Sequence, residues 1–293
     1  MDIIEGERAA ECGVDGDVRV LRRLAVREGF TGQGSDAGAR VCAVVDVETT
    51  GLDHDHDAVI QLAMRRFRFD ADGVMTRIGT SFCWNEDPGR PIPENITRLT
   101  GIRDEDVAGR RFPDEDVVWA LTRVHVIVAH NAGFDRRWVE RRFPDAAGMP
   151  WGCSMRDVPW ERRGLEGGKL ALLGVQCGFF YDAHRADVDV DAVIGLLGHR
   201  FEDGRTAMSV MMEAAEAPSW IVRARGAAFG LKERLRARGY RWDGGRRVWA
   251  KEVLDADRFA EEVWLAANVY APEARPQALE PEFVRITWRE RHA

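Results

Sequence analysis

Apolar and polar positions along the chain follow three patterns. Val41-Cys42-Ala43-Val44-Val45 is a continuous apolar run of the kind that fills a strand buried on both faces, and Val124-His125-Val126-Ile127-Val128-Ala129 is a second. The second half of Ala58–Phe69 alternates apolar and basic residues, as a half-buried strand does. Asp72-Gly73 then signals a hairpin turn, and a further strand is predicted towards Trp84. Helical spacing appears after Pro91-Ile92-Pro93 in short pieces, from Phe134 to Phe143 with a stop at Pro144, and at Val190, Val193, Ile194 and Leu197. The stretch Val18–Val26 predicts one more short helix, ahead of a Gly/Ser linker at 31–38. Strands followed by strand–helix units predict an α/β domain with a mixed central sheet flanked by helices.

The pattern changes near residue 205. Met208, Met211 and Met212 fall on a predicted helix, and after Pro218 comes a block rich in Arg and Trp. Within it, Phe229–Gly239 predicts an amphipathic helix. Tyr240–Trp249 predicts a hairpin turned by Asp243-Gly244-Gly245, with Trp242 and Trp249 pairing across it. The expected organisation is an N-terminal extension over 1–38, an α/β domain over 39–205, and a small α+β module over 206–293. No internal repeats are evident.

Composition narrows the function classes. Hydrophobic content of 45% and charged content of 31% describe a water-soluble globular protein, and no apolar run is long enough to span a bilayer. With no signal-peptide pattern, a cytoplasmic location is expected and no membrane partner. Five scattered cysteines without a C-x-x-C pair exclude a disulfide framework or a cysteine-rich zinc site. The net charge of −7 hides an asymmetry: Ile221–Lys251 holds ten basic residues against two acidic ones, a local surplus of eight. Such a region predicts a polyanion partner. The null alternative makes the two tryptophans a small core and the arginines a solvated surface.

Candidate chemistry begins with two acids. Asp46 and Glu48, two apart at the end of a buried strand, project from the same face. Two carboxylates held that close repel, and a hard divalent cation is the usual relief; solvated acids on an edge strand are the bland alternative. Asp135 lies just past the second buried strand, at the carboxyl edge of the sheet where α/β folds place their sites. His184 precedes a helix whose start carries Asp187, Asp189 and Asp191, and periodicity does not choose among these three. Acids at a helix start also have a structural explanation in the helix dipole. His54 and His56, in Asp53-His54-Asp55-His56-Asp57, are expected to be a solvated loop, because no distant ligand pairs with them.

Asp46-Val47-Glu48-Thr49-Thr50-Gly51-Leu52, His130-Asn131-Ala132-Gly133-Phe134-Asp135, and His184 with Asp189 five residues on resemble the three motifs of the DEDDh exonucleases. This is the family of the bacterial polymerase III proofreading (epsilon) subunit. Pro91–Ile102 is similar to the segment that family carries between its first two motifs. The resemblance covers roughly residues 40 to 200 and implies a ribonuclease-H-like fold. It also implies removal of nucleotides from a 3′ end, with nucleoside 5′-monophosphates as products. Two divalent ions, magnesium or manganese, would be held by Asp46, Glu48, Asp135 and Asp189, with His184 as general base. It implies substrate contacts at Thr49, Thr50, Leu52, Asn131 and Phe134.

DNA with single-stranded or frayed 3′ ends is the expected substrate. The alternative inside the family is an exonuclease that processes RNA, and outside it a nucleic-acid-binding polymerase adaptor with a spent active site. The filled catalytic positions argue against the adaptor. No polymerase motif is evident, so proofreading would need a separate polymerase or repair protein as partner. The C-terminal block resembles small helix-plus-hairpin modules of phage, plasmid and nuclease proteins. Arg241, Arg246, Arg247 and Lys251 are its candidate nucleic-acid contacts, with bases stacking on the aromatic residues.

Overall fold

The computed structural model describes residues 19–183, 185–271 and 280–292, and the chain divides into two compact units after Ala215, with His292 counted in the first. The first unit opens with two-residue strands β1 (Arg22–Arg23) and β2 (Gly29–Phe30), followed by β3 (Arg40–Thr49), β4 (Val59–Phe69) and β5 (Met75–Asn85). Helices α1 (Glu94–Thr100), α2 (Asp104–Val107) and α3 (Asp114–Thr122) lead to β6 (Val126–Ala129). Then come α4 (Ala132–Arg142), β7 (Trp151–Cys153), α5 (Leu170–Gln176), β8 (Phe179–Phe180), α6 (Ala186–Leu197) and α7 (Ala207–Glu216). Among the described residues no helix is long and apolar enough to cross a membrane.

The main sheet has the order β2-β5-β4-β3-β6-β7. β3, β4 and β5 form an antiparallel meander, while β6 and β7 run parallel to β3. This is the mixed sheet of the ribonuclease-H-like fold, with β2 added at one edge. The predicted turn lies between β4 and β5: Asp70 accepts from the amides of Asp72 and Val74, and Gly73 adopts φ 73°. A Cβ at Gly73 would also stand 2.5 Å from the backbone nitrogen of Ser209, so glycine is required there twice over.

β3 is central, which is why its apolar run is unbroken. Ala43, Val45 and Val47 face a core with Leu62, Met64, Leu121, Trp138 and Trp151. The opposite face, with Val44, Asp46 and Glu48, lies on the side of α6, since Arg65, paired with Val44 in the ladder, reaches Asp191 of α6 at 2.7 and 2.9 Å. The predicted helix over Val18–Val26 is not formed. Described residues of that stretch are extended, with β1 pairing in parallel with β8. Pairing with β8 here overrides the helical spacing of Val18, Leu21 and Ala25.

The second unit pairs its strands in the order β10-β11-β9-β12, all antiparallel: β9 (Ser219–Ala224), β10 (Arg241–Asp243), β11 (Val248–Leu254) and β12 (Glu282–Ile286). Its helices are α8 (Lys232–Ala237) and α9 (Arg258–Asn268). Val222, Ala224, Leu235, Tyr240, Trp249 and Leu265 form its own core. Phe229–Leu231 makes a tight turn ahead of a shorter α8 than the amphipathic pattern suggests.

Candidate active site

Strand ends and helix starts of the first unit meet at one edge of the main sheet. β3 carries Asp46 and Glu48 on one face, both half-buried. The ladder to β4 shifts register between Glu48 and Thr49, so pairing becomes irregular where the chemistry begins. β6 stops at Ala129, so beyond it the backbone N–H of Val47 lacks a strand partner on that side. Asp135, in the first turn of α4, fills the gap: its Oδ1 accepts from Val47 N–H at 3.1 Å. Asp135 is thereby fixed beside Asp46, and it is buried.

The electrostatics show how tightly these acids are grouped. Burial holds the Asp46 carboxyl well above the usual carboxylate range, helped by the charges of Asp135, Glu48 and Asp189. Burial and the nearby Asp189 push Glu48 up to about 7. Asp135 is also pushed up to about 7, by burial against the relief of the Val47 amide, with Glu48 adding to the rise. Asp189 therefore acts on both strand acids from the start of α6.

Its two neighbours are otherwise engaged. Asp191 is bound by Arg65, and Asp187 lies 3.5 Å from Arg185. Of the three acids that periodicity left open, Asp189 is the one whose charge reaches both Asp46 and Glu48. His184 lies outside the described residues.

A set of four oxygen-donor carboxylates fits hard divalent ions such as magnesium or manganese. Among the described residues no three His, Cys, Asp or Glu side chains close into a metal cage.

The other candidate residues divide by what their side chains do. Thr49 and Thr50 are buried, with hydroxyls spent internally: Thr49 donates to Gly51 O at 2.6 Å, and Thr50 donates to Asp57 at 2.8 Å while receiving Arg90 at 2.9 Å. The Thr50 N–H is taken as well, by Ala58 O at 2.9 Å. Leu52, in the following loop, is 84% exposed. Arg90 clamps that loop, reaching Asp57 and the carbonyl of His56 at 2.8 Å. Asn131 sits at the β6–α4 junction in a left-handed conformation, φ 74°, and Phe134 is half-buried against Trp138. His54 is bound to Arg137 O and His56 to Asp53, both at 3.0 Å.

Two residues, Tyr181 and Cys83, join the site without a sequence signal, and His130 of the second motif supports its loops. Tyr181, between β8 and α6, hydrogen-bonds Asp189; burial first, and then the charges of Asp189 and Asp46, hold its phenol well above its usual pKa. Cys83 shares a transverse row with Asp46 across Ala63, and burial pushes its thiol up to about 11, with Asp187, Asp46 and Glu48 contributing and Arg185 opposing. His130 is held below its usual pKa by burial, between Ser154 Oγ at 2.9 Å and Gly168 O at 2.7 Å. A carbonyl accepts only, so Nε2 carries the proton and Nδ1 accepts from Ser154, leaving a neutral imidazole that ties the loops together.

Known proteins share this site region. Residues 43–158 match the RNase_T family, described as an exonuclease, a span that includes Asp46, Glu48 and Asp135. The chain is 31% identical over 173 residues to a DNA polymerase III PolC-type from Clostridium perfringens, covering 57% of this chain and 12% of that protein. It is 37% identical over 110 residues to the same type of polymerase from Streptococcus suis, covering 36% of this chain and 7% of that one. The chain thus spans only a small part of these relatives. Similar solved structures include exonuclease X in complex with 5′ overhanging duplex DNA, at 22% identity and TM-score 0.43, covering 59% of this chain and 99% of that one. An exonuclease I is similar at 18% identity and TM-score 0.48, covering 85% and 63%. The part of the chain that carries Asp46, Glu48 and Asp135 is thus the part that is similar to the RNase_T exonuclease family.

Proposed function

We propose that the chain is a 3′-to-5′ exonuclease of the DEDDh kind, acting on DNA at single-stranded or frayed ends. The observation that carries this is the grouping of Asp46, Glu48 and Asp135 at one edge of the sheet, each held above the ordinary carboxylate range, with Asp189 close enough for its charge to raise the first two. These four residues would hold two divalent ions, which when bound supply positive charge to offset the charge that develops on the attacking and departing oxygens. His184 takes a proton from the attacking water. The water oxygen bonds to the terminal phosphorus, the P–O3′ bond breaks, and the departing 3′ oxygen acquires a proton from solvent. A nucleoside 5′-monophosphate leaves, and the strand is one nucleotide shorter with a free 3′ hydroxyl.

The remaining residues position the end. Backbone groups at Thr49 and Thr50 meet the terminal nucleotide, exposed Leu52 wedges against its base, and Asn131 and Phe134 border the pocket. The names of the polymerase relatives support DNA as substrate, and a separate polymerase or repair protein is the proposed partner. The test is a nuclease panel on single-stranded, duplex, 3′-overhang and RNA substrates with magnesium, manganese or chelator. Release of 5′-mononucleotides from DNA 3′ ends, abolished by chelator, is the expected result. Faster degradation of RNA of the same sequence would move the assignment to RNA, and chelator-resistant activity would remove the metal mechanism.

A further inference from the structure

The basic surplus of Ile221–Lys251 is only partly available. In the second unit, Lys251 and Arg238 are bound to buried Glu261 at 2.9 and 3.2 Å, Arg223 to Glu282 at 3.1 Å, and Arg236 to Glu233 at 2.8 Å. Lys251 is thereby committed to the fold, not to a surface contact. Of the cations still presented to solvent, Arg225, Lys232 and Arg234 lie elsewhere, and three lie on the β10–β11 hairpin: Arg241 and Arg247, which have no ion pair among the described residues, and Arg246, which holds Asp243 only at 3.6 Å.

The hairpin tryptophans divide the work between core and surface. In the ladder Trp242 stands opposite Trp249. Trp249 is 9% exposed and belongs to the core, whereas Trp242 is 53% exposed and rests on it at 5.6 Å between centroids, with rings inclined at 64°. Arg236 lies over Trp249 on the same side, at 5.6 Å. An exposed indole packed on a buried one is an apolar platform on a hairpin that also carries three cations.

Backbone conformation adds an independent observation. Arg247 adopts φ 53° in the hairpin, a left-handed conformation that costs an ordinary side chain free energy and glycine almost none. The turn uses glycine at 244 and 245 but arginine at this position. A strained residue with an exposed cation points to a use for the side chain beyond forming the turn.

We propose that the β10–β11 hairpin binds single-stranded DNA, with a base stacked on Trp242 and phosphates held by Arg241, Arg246 and Arg247. Stacking on an aromatic ring needs an unpaired base, and the arginines supply the sequence-independent attraction to phosphate. Because the hairpin and the exonuclease unit share one chain, a strand captured here raises the effective concentration of DNA for that unit. This last consequence rests on the exonuclease reading; the binding itself does not.

The experiment uses the full chain carrying Asp46→Asn, so that DNA survives, and measures Kd by fluorescence anisotropy across a salt series. The probe is an oligodeoxythymidine of about 16 nucleotides, the upper end of common single-strand site sizes, compared with a duplex of the same length. Adding Trp242→Ala is expected to weaken single-strand binding roughly tenfold and duplex binding much less. Trp242→Phe keeps a ring and should restore most of the affinity, which guards against a folding artefact. Arg247→Gly is expected to leave the melting temperature unchanged or higher while weakening binding. It should also lower the salt slope by about 0.7, the value for one phosphate contact on a single strand. Unchanged Kd and slope in both Trp242→Ala and Arg247→Gly would overturn the proposal and leave the surface to another occupant, such as an acidic protein segment. Equal losses on duplex and single strand would overturn the stacking assignment. A parent chain that binds DNA but degrades none with its Asp46 restored would refute the exonuclease reading and leave this one standing.

Discussion

Each unit of the molecule buries carboxylates, and the two treat them in opposite ways. Glu261 in the second unit is 2% exposed. Burial alone would raise its pKa, but Lys251 at 2.9 Å, Tyr240 at 3.0 Å and Arg238 at 3.2 Å outweigh it and hold the carboxyl below its usual range. Asp46, Glu48 and Asp135 in the first unit are raised, with one amide from Val47 and no arginine or lysine among the causes that act on them. The first unit does not lack cations, for Arg65 meets Asp191 a short distance along α6 at 2.7 Å. A fold that can neutralise Asp191 but leaves its strand-end acids repelling one another keeps a place for positive charge from outside. Glu261 is neutralised within its module; the strand-end acids are left to repel one another, at a cost in stability.

Neutralising one acid from each set should give opposite outcomes. Asp46→Asn is expected to lower exonuclease activity by about 10³-fold or more, because a cooperating catalytic set fails when one member is removed. The same variant should melt at a higher temperature than the parent in chelator, since a repelling charge is gone. Glu261→Gln should do the reverse. It leaves a buried lysine without its counter-charge, a change that costs about 3 kcal/mol when a buried pair is broken, while turnover of a short single-stranded substrate stays near the parent's. Denaturant unfolding and initial rates on the two proteins check both halves. An Asp46→Asn protein that is less stable in chelator and fully active would undo the comparison.

pH separates the two sets by a smaller margin. Glu48, with an ordinary value of 4.5 and about 7 in the fold, is charged more readily unfolded than folded. Its contribution to stability is therefore present below about 4.5 and is lost as pH rises through about 7; Asp135 follows the same course. Glu261 is depressed, so its contribution is present above the ordinary glutamate range near 4.3 and is lost as pH falls through its lower folded value. In chelator the melting temperature should fall by a few degrees between pH 5 and pH 8, about the change that 1 kcal/mol makes in a chain of this size. Millimolar magnesium or manganese should abolish that fall. A curve equally steep with and without the ions would mean that the carboxylate cluster does not bind them.

Much of this contrast was legible in the sequence, for definite physical reasons. β3 could be read because a central strand must be apolar without interruption, which leaves Asp46 and Glu48 conspicuous at its end. The β4–β5 turn and the Trp242–Trp249 pair followed from turn chemistry and strand register. Other parts depend on contacts distant in sequence. Lys251 looked like a surface cation until Glu261, ten residues on, took it up. Val18–Val26 looked helical because the strand that it pairs with, β8, lies far along the chain. Periodicity does not choose among Asp187, Asp189 and Asp191; the motif spacing from His184 points to Asp189, and Arg65, far away on β4, claims Asp191.

Tyr181 is the clearest case of a residue that pattern could not find, and it offers the finest test of the comparison. Its phenol touches Asp189, the member of the acid set that comes from a helix start and not from the central sheet. Val47 restrains Asp135 and the β3 backbone fixes Asp46 and Glu48, so Asp189 is the acid with the most to gain from a side-chain partner. A hydrogen bond from a neutral phenol orients a carboxylate without cancelling its charge, which is the opposite of what Lys251 does to Glu261. Tyr181→Phe removes that bond and keeps the ring against Phe179. The loss of one such bond is worth about 0.5–1.5 kcal/mol, so the magnesium concentration for half-maximal activity should rise roughly two- to tenfold. At saturating magnesium kcat should return close to the parent value, because the charge of Asp189 is intact. A kcat that stays low at every magnesium concentration would instead place Tyr181 on the substrate. An unchanged magnesium dependence would leave Asp189 held by the start of α6 alone.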